Sequence, residues 1–237
     1  MKRLSAVRSR GLLYSLGIVF NRLIPAAVFR FRVFQILELD TELAIQPVSG
    51  LDDQIITIVR CQTPAEVESA EQLTFATIEA RDPSSEFQTA WIARMDDINC
   101  GGVWTTEKSF DETELGVRIE LPVEGIWIYA AYIDKAFRRK GIYRRLLGGV
   151  ISQLRSANAL MQDEPNHIAC RFFVSINPWN KPSMAAHSEL VKRTIGTCYV
   201  ARFFGAAIAF SSGHIKVHPR LKFSVQSDPI RVRWSIT

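Results

Sequence analysis

Residues 134–147 read DKAFRRKGIYRRLL, and this stretch decides the fold around it. The apolar run Ile126–Ile133 leads into it, and apolar residues at helical spacing follow it: Leu146, Leu147, Val150, Ile151 and Leu154. We therefore expect a strand, a basic turn that contains Gly141, and a helix. Such a turn points backbone N–H groups and the positive end of the helix dipole at one place, which suits a phosphate.

The charge of this turn indicates the class of ligand more closely. Six cations and no acid lie between Lys135 and Arg145, which predicts a polyphosphorylated ligand. A solvated basic helix face would explain the cations, but it would explain neither the glycine nor the strand that precedes it. Contact with the phosphates of RNA or of a membrane is a further alternative.

The remaining charge is unevenly distributed. The formal net charge is +5, but residues 1–37 alone carry seven Lys and Arg residues and no acid, so residues 38–237 sum to −2. A slightly acidic body argues against a protein that binds nucleic acid with its whole surface.

The cysteines predict neither a disulfide framework nor a metal site. Cys61, Cys100, Cys170 and Cys198 are far apart and form no C-x-x-C pair, and no histidines lie at ligand spacing from them. We therefore expect no metal, free thiols and a cytoplasmic protein.

The spacing of apolar residues in the N-terminal segment predicts an amphipathic helix. Leu13, Leu16, Phe20 and Leu23 recur at spacings of three and four before Pro25. A membrane span would place Arg22 near its centre, which is costly. Docking on the domain or in a homodimer interface, peripheral contact of residues 1–30 with anionic lipid, and a cleaved targeting segment remain alternatives. Residues 1–45 are thus expected to form a basic amphipathic extension with one strand, and residues 46–237 the main domain.

Hydrophobic patterning predicts an α/β fold with a mixed, mostly antiparallel central sheet flanked by helices. A capped helix should begin at Thr63 and run to about Ala80, because Thr63, Pro64 and Glu66 give three agreeing start signals. The other predicted helices are one that follows the basic turn and continues to about Ala157, and one from about Ser183 to Val191. The predicted strands are 29–39, 55–61, 87–94, 102–106, 126–133, 167–176, 199–210 and 222–234.

The block from Tyr132 to Leu147 resembles the acyl-CoA-binding motif of the GNAT superfamily of N-acetyltransferases. That motif runs from a strand through [Gln/Arg]-x-x-Gly-x-[Gly/Ala] into a helix, and Arg138, Gly141 and Tyr143 take its three marked positions. The resemblance implies that the N–H groups of Arg138 to Arg144 cradle the CoA pyrophosphate, and that Tyr132 and Ile133 hold the pantetheine arm. The expected cofactor contacts in this block are Tyr132, Ile133, Arg138, Arg139, Lys140, Gly141, Ile142, Tyr143 and Arg144.

A second block, residues 177–189, is similar to the superfamily's Asn-x-x-[Ala/Ser]-x-x-x-Tyr element. Asn180, Ser183 and His187 take the marked positions, and Asn177 begins the block. The resemblance implies that Asn177, Asn180 and Ser183 contact the cofactor, although Asn180 is equally suited to capping a helix. Together the two blocks extend the resemblance over roughly residues 50–205.

Three departures from the family pattern stand out. Tyr143 replaces a small residue, so the phosphate turn must accommodate a ring. His187 replaces the Tyr that often protonates the departing thiolate. Histidine can also supply a proton, and a packed helix-face histidine is the alternative. Val191-Lys192 replaces the usual Gly-Phe after the helix, so the next strand is expected to enter differently.

An acidic connector, Glu107–Glu124, lies before the predicted central strand and has a net charge of −4. Glu120 and Glu124 are candidates for the base that deprotonates an amine acceptor, and a solvated acidic loop is the alternative. The charge would also attract a cationic acceptor.

The resemblance therefore implies an N-acetyltransferase that moves an acetyl group from acetyl-CoA directly to a primary amine in a ternary complex. We expect a small amine or amino-sugar acceptor and no nucleic-acid partner. Two alternatives stay open: an acyltransferase with a longer acyl group or a hydroxyl acceptor, and a non-catalytic CoA-binding scaffold at a membrane surface.

Overall fold

A computed structural model describes residues 28–45, 56–75, 88–112, 115–160, 170–223 and 229–235, together with residues 19 and 23–25. Two predicted features lie outside the described residues: most of the N-terminal amphipathic helix, and positions 167–169 of the strand predicted over 167–176. The chain divides into two compact units. The turn unit comprises Leu39–Lys108 and Val123–Phe173, and the terminal unit comprises Met1–Glu38, Ser109–Pro122 and Val174–Thr237. The division predicted at residue 45 stays a prediction.

The described elements include two runs of consecutive strands, with the longer helices before and after the first of them. In order they are β1 (Phe29–Leu39), α1 (Thr41–Ile45), β2 (Ile56–Arg60), α2 (Pro64–Thr74), β3 (Gln88–Met95), β4 (Ile98–Glu107), β5 (Ser109–Glu112), β6 (Val117–Glu120), β7 (Gly125–Ile133), α3 (Ile142–Leu160), β8 (Arg171–Ile176), α4 (Lys181–His187), β9 (Val191–Phe203), β10 (Ala206–Gly213), β11 (Ile215–His218), β12 (Leu221–Lys222) and β13 (Ile230–Trp234).

The turn unit is built on an antiparallel meander in which β2 pairs with β3, β3 with β4, and β4 with β7. The apolar stripe predicted for α3 is buried, with Leu146, Leu147 and Ile151 fully inaccessible to solvent. Gly148 and Gly149 let this helix lie close to its neighbours, because a Cβ at these positions would collide with Ala44 and Ile58.

Helix α2 begins as predicted and ends early. The Thr63 side chain accepts from the Glu66 N–H at 3.3 Å, and Glu66 Oε2 accepts from the Thr63 N–H at 3.1 Å, which is a complete capping box. The predicted end near Ala80 was wrong. Phe75 adopts φ of 55° and terminates the helix in a left-handed cap.

Hydrogen bonds fasten the end of α2 to the sheet. Thr74 Oγ1 donates to the Ala70 carbonyl at 2.7 Å and accepts from Trp104 Nε1 at 3.0 Å. Both polar groups are buried, so each depends on the other for its hydrogen bond.

In the terminal unit, β9, β10 and β12 form an antiparallel sheet, and β11, β13, β6 and β5 form a second sheet with β13 parallel to β6. The single strand predicted over 199–210 was wrong. A turn at Phe204-Gly205 divides it into the β9–β10 hairpin, and this turn was hidden because phenylalanine is not a usual turn residue.

Two other boundaries needed correction. Helix α4 covers Lys181–His187 rather than 183–191, and β9 already begins at Val191, where the usual Gly-Phe is replaced. The acidic connector forms the β5–β6 hairpin instead of a loop, with Arg118 paired to Asp111 at 2.7 Å. The predicted fold class is confirmed. No helix among the described residues is long and apolar enough to span a membrane.

Candidate functional site

A β-bulge interrupts β7 shortly before the basic turn. Trp104 lies opposite Tyr129 and Gly102 lies opposite Tyr132, so Ala130 and Ala131 together face the single residue between them on β4. Ala130 adopts φ of 49°, which is unusual for a residue with a side chain. A bulge leaves one residue without a ladder partner and changes the direction of the strand. Backbone groups of β7 are thereby directed away from β4 at this point.

The end of β7 is held against β4 before the chain turns. The Asp134 N–H donates to the Cys100 carbonyl at 3.0 Å. Asp134 Oδ1 then accepts from the Ala136 N–H at 2.9 Å and caps a single 3₁₀ turn over Lys135–Phe137. A Cβ at Gly101 would meet the end of the Ile133 side chain and lie 3.0 Å from the Tyr132 carbonyl oxygen, so β4 and β7 approach each other closely here.

Five consecutive backbone amides follow this turn. Arg139 and Gly141 have φ of 65° and 64°. Within the part of the chain that the structure describes, no group accepts a hydrogen bond from the N–H groups of residues 138–142. The first turn of α3 carries no acidic side chain, and the Arg145 N–H is the first to donate within the helix, to Gly141. Unpaired amides at the positive end of a 19-residue helix have the polarity that suits an anion.

The cations of the turn take different positions. Arg138 Nε donates to the Ile133 carbonyl at 2.8 Å, and its guanidinium lies 5.3 Å from the centre of the Tyr132 ring. Lys140 Nζ lies 5.5 Å from the centre of the Phe137 ring. Arg144 instead donates to the Leu43 carbonyl at 3.2 Å. Aromatic rings therefore hold two cations at the turn, whereas Arg144 contacts α1.

Tyr143, which stands where the family has a small residue, lies in the first turn of α3. Its side chain is partly exposed, but the phenol end is buried in protein, and this burial raises the pKa of Tyr143.

Phe75 is a neighbour of the turn that sequence reasoning missed. Its ring lies edge-on to Tyr132 with 5.2 Å between centroids, although the side chain is 74% exposed. Its left-handed backbone is strained for an aromatic residue. No sequence signal marked it, because Phe75 fell inside the predicted helix.

The second predicted block lies in the terminal unit. Asn177 Oδ1 accepts from the Trp179 N–H at 2.9 Å, which shapes the loop before α4. Asn180 is the N-cap residue, but its side chain makes no capping bond to the described residues of α4. The Asn180 side-chain amide is therefore not engaged in capping α4. Ser183 lies in the first turn of α4 and is partly exposed.

His187 is the last residue of α4 and is buried. Its Nδ1 lies 2.8 Å from the Ser183 carbonyl. Because a carbonyl only accepts, Nδ1 carries a proton. Burial lowers the pKa of His187, so the imidazole is neutral at pH 7 and its Nε2 bears a lone pair.

The two carboxylates predicted as bases occupy different environments. Glu120, on β6, is paired with Arg233 and with Arg231 on β13. Glu124 precedes β7, and the bulge at Ala130 lies six positions further along the chain, which is about 20 Å of strand. A base acts through a hydrogen bond or one intervening water. Both environments therefore disfavour these residues as the base.

The thiols are unsuited to nucleophilic chemistry. All four cysteines are free. Burial raises the pKa of Cys61 to about 11 and that of Cys198 to about 12, and it also raises the pKa of Cys100 and Cys170. Such thiols stay protonated at neutral pH. Among the described residues, no cluster of His, Cys, Asp and Glu side chains is arranged to hold a metal ion.

Comparison with known proteins gives one family. The model of the acetyltransferase (GNAT) family matches residues 53–177, just over half of the chain. No curated protein sequence matches significantly.

Solved structures give distant similarities. A functionally unknown conserved protein from Staphylococcus epidermidis has 10% identity and a TM-score of 0.47, with 70% of this chain and 60% of that chain covered. A GCN5-related N-acetyltransferase from Kribbella flavida has 12% identity and a TM-score of 0.39, with coverage of 82% and 63%. An aminoglycoside N-acetyltransferase in complex with CoA has 13% identity and a TM-score of 0.39, with coverage of 62% and 93%. The chain spans about three fifths of the length of the first two.

Proposed function

Because the chain belongs to the acetyltransferase (GNAT) family, we propose that it transfers an acetyl group from acetyl-CoA to a primary amine. The observation that carries this proposal is the row of amides from Arg138 to Ile142 at the start of α3. These groups fit a pyrophosphate, since each offers an N–H donor and the adjacent helix end is positive. Arg139 and Lys140 add exposed positive charge.

The rest of the turn unit suits the arm of the same molecule. When bound, acetyl-CoA supplies the thioester whose acetyl group is transferred. The bulge at Ala130 supports contacts between backbone N–H groups and the thioester carbonyl, with Tyr132 and Ile133 beside the pantetheine arm. Asn177, Asn180 and Ser183 are proposed as further contacts of the cofactor.

Transfer is proposed to be direct, in a ternary complex, because the raised pKa values of the four thiols leave no activated cysteine. His187 is the proposed proton carrier. Its lowered pKa makes the neutral imidazole the resting form, so it donates a proton only after taking one up. His187→Tyr, which restores the residue usual in the family, should keep activity that His187→Gln loses.

The acceptor proposed is a small amine or an amino sugar. The acidic residues around β5 and β6 contribute less attraction than their number suggests, because Asp111 and Glu120 are paired with arginines. The free thiols support a cytoplasmic location.

A matched pair of acceptors tests this function. The protein is mixed with acetyl-CoA and either glucosamine or glucose, which differ in one amine, and release of the CoA thiol is measured. A wider panel of small amines and their hydroxyl analogues follows the same design. We expect release that requires an amine, and a higher kcat/KM for acetyl-CoA than for octanoyl-CoA.

Three results would contradict the proposal. Release that requires a hydroxyl acceptor would indicate an O-acyltransferase. A preference for octanoyl-CoA would indicate a different acyl donor. Saturable binding of acetyl-CoA without turnover on any acceptor would indicate a CoA-binding module that does not catalyse transfer.

A further inference from the structure

One face of the β9–β10–β12 sheet is apolar and exposed. Tyr199 and Phe203 on β9, Ile208 and Phe210 on β10, and Leu221 on β12 all lie on it, and we call these residues the aromatic face. They are adjacent across the strands, since Phe210 lies opposite Tyr199 and Ile208 lies opposite Leu221. The alternate residues on the other face are buried: Cys198, Val200, Ala207 and Ala209. An antiparallel sheet with one buried face ordinarily has polar residues on the other, so the apolar pattern is unusual.

The turn at the end of this hairpin adds a strained aromatic residue. Phe204 and Gly205 form a two-residue turn with φ of 47° and 85°. Such turns favour Asn-Gly, because a bulky residue is strained at positive φ. Phe204 nevertheless occupies the position and is 68% exposed, and Phe223, just after β12, is 84% exposed. The Phe204 ring packs edge-on against Phe203, with 4.5 Å between centroids, and most of its surface remains in solvent.

The segments around the aromatic face carry an excess of positive charge, and one of their cations, Arg193, is paired with the buried Glu38 of β1. Residues 191–223 carry six Lys and Arg residues and no acid. Residues 1–37 carry seven more, again without an acid, so the remainder of the chain has a net charge of −8. The two cationic segments meet, since the Val28 carbonyl accepts from the Phe204 N–H at 3.1 Å and the Phe29 ring lies 6.3 Å from that of Phe203.

From these observations we propose that the aromatic face docks the protein on an anionic lipid bilayer. Aromatic and aliphatic side chains next to lysines and arginines are the composition of surfaces that lie in the bilayer interface. Residues 1–37 and 191–223 contain no acid, and anionic lipid headgroups supply the negative charge that attracts their lysines and arginines. A second copy of the chain fits less well, because symmetric pairing would bring identical cations together without an acid to oppose them.

Vesicle co-sedimentation of the full chain tests the proposal. Vesicles of phosphatidylcholine alone are compared with vesicles that contain about one third phosphatidylglycerol. We expect binding to the anionic vesicles only. The double variant Phe210→Ser/Phe223→Ser should weaken this binding about tenfold or more, and Arg220→Glu about fivefold. Ile98→Ser, an exposed apolar residue of the turn unit, is the matched control and should bind like the native protein.

A second readout is independent of affinity. A polarity-sensitive dye on Phe223→Cys should shift to shorter wavelength with anionic vesicles, whereas the same dye on Ile98→Cys should not.

Several outcomes would overturn the proposal. Binding that survives Phe210→Ser/Phe223→Ser would assign the contact to the N-terminal segment. A concentration-dependent dimer that this variant dissociates, without vesicle binding, would make the face an interface between copies. Binding of single-stranded RNA in place of vesicles would make it a nucleic-acid surface.

Discussion

The Arg138 guanidinium lies 5.3 Å from the centre of the Tyr132 ring, and its Nε donates to the carbonyl of the adjacent Ile133 at 2.8 Å. The residue that begins the row of free amides is therefore fixed to the last residues of β7. Phe75 packs edge-on against the same ring. These contacts join the end of α2 and the end of β7 to the basic turn.

Removing the Tyr132 ring should weaken cofactor binding. An exposed cation–π contact contributes about 0.5–1 kcal/mol, so Tyr132→Leu should raise the Kd for acetyl-CoA about two- to fivefold. Tyr132→Phe keeps the ring and should bind like the native protein. Isothermal titration calorimetry measures both, and equal affinities for the two variants would refute the positioning role of the ring.

Neutralising the two candidate carboxylates should leave turnover nearly unchanged. Glu120 is held by arginines and Glu124 is about 20 Å of strand from the bulge, so we expect neither to act as the base. Steady-state kinetics of Glu120→Gln and Glu124→Gln should give kcat within about twofold of the native value. Removal of the general base should lower kcat about 100-fold or more. A loss of that size in either variant would show that the carboxylate acts in catalysis.

His187 should make the protein less stable in mild acid. Burial lowers the pKa of His187 in the folded state, so the unfolded chain binds more protons once the pH falls below about 6.5. The unfolding free energy should therefore decrease from pH 7 to pH 5, by at most about 1.4 kcal/mol per pH unit from this group. Urea unfolding of His187→Gln should show a shallower slope, and an unchanged slope would contradict the assignment.

The hydrogen bond between Trp104 and Thr74 should matter for folding. Thr74→Val removes the acceptor of a buried indole N–H, which costs about 1–3 kcal/mol. Thr74→Ser keeps the hydroxyl and should lose less. If chemical denaturation gave equal losses for the two variants, the methyl group and not the hydrogen bond would be the stabilising feature.

The elements that could be predicted from the sequence are those whose stabilising contacts join residues close together in the chain. The capping box at Thr63 and Glu66 satisfies its own hydrogen bonds, and the apolar stripe of α3 has helical spacing, so both could be found in the sequence. The basic turn was found for the same reason, since its glycine and its cations lie within a few residues of one another.

Other features depend on contacts that sequence spacing does not encode. Phe75 terminates α2 in a conformation that disfavours phenylalanine, and Phe204 occupies a turn position that favours asparagine. The environments of Glu120 and His187 come from Arg233 on a distant strand and from burial. These features required the tertiary structure.

The most direct test of the cofactor site compares aspartate with asparagine at Gly141. Both residues tolerate the left-handed backbone there, at φ of 64°, and they have nearly the same shape. They differ in a negative charge placed among the amides. Calorimetric titration with acetyl-CoA should give about tenfold or more weaker binding for Gly141→Asp than for Gly141→Asn, because the charge repels the pyrophosphate. Equal affinities for the two variants would contradict binding of the phosphates at this turn.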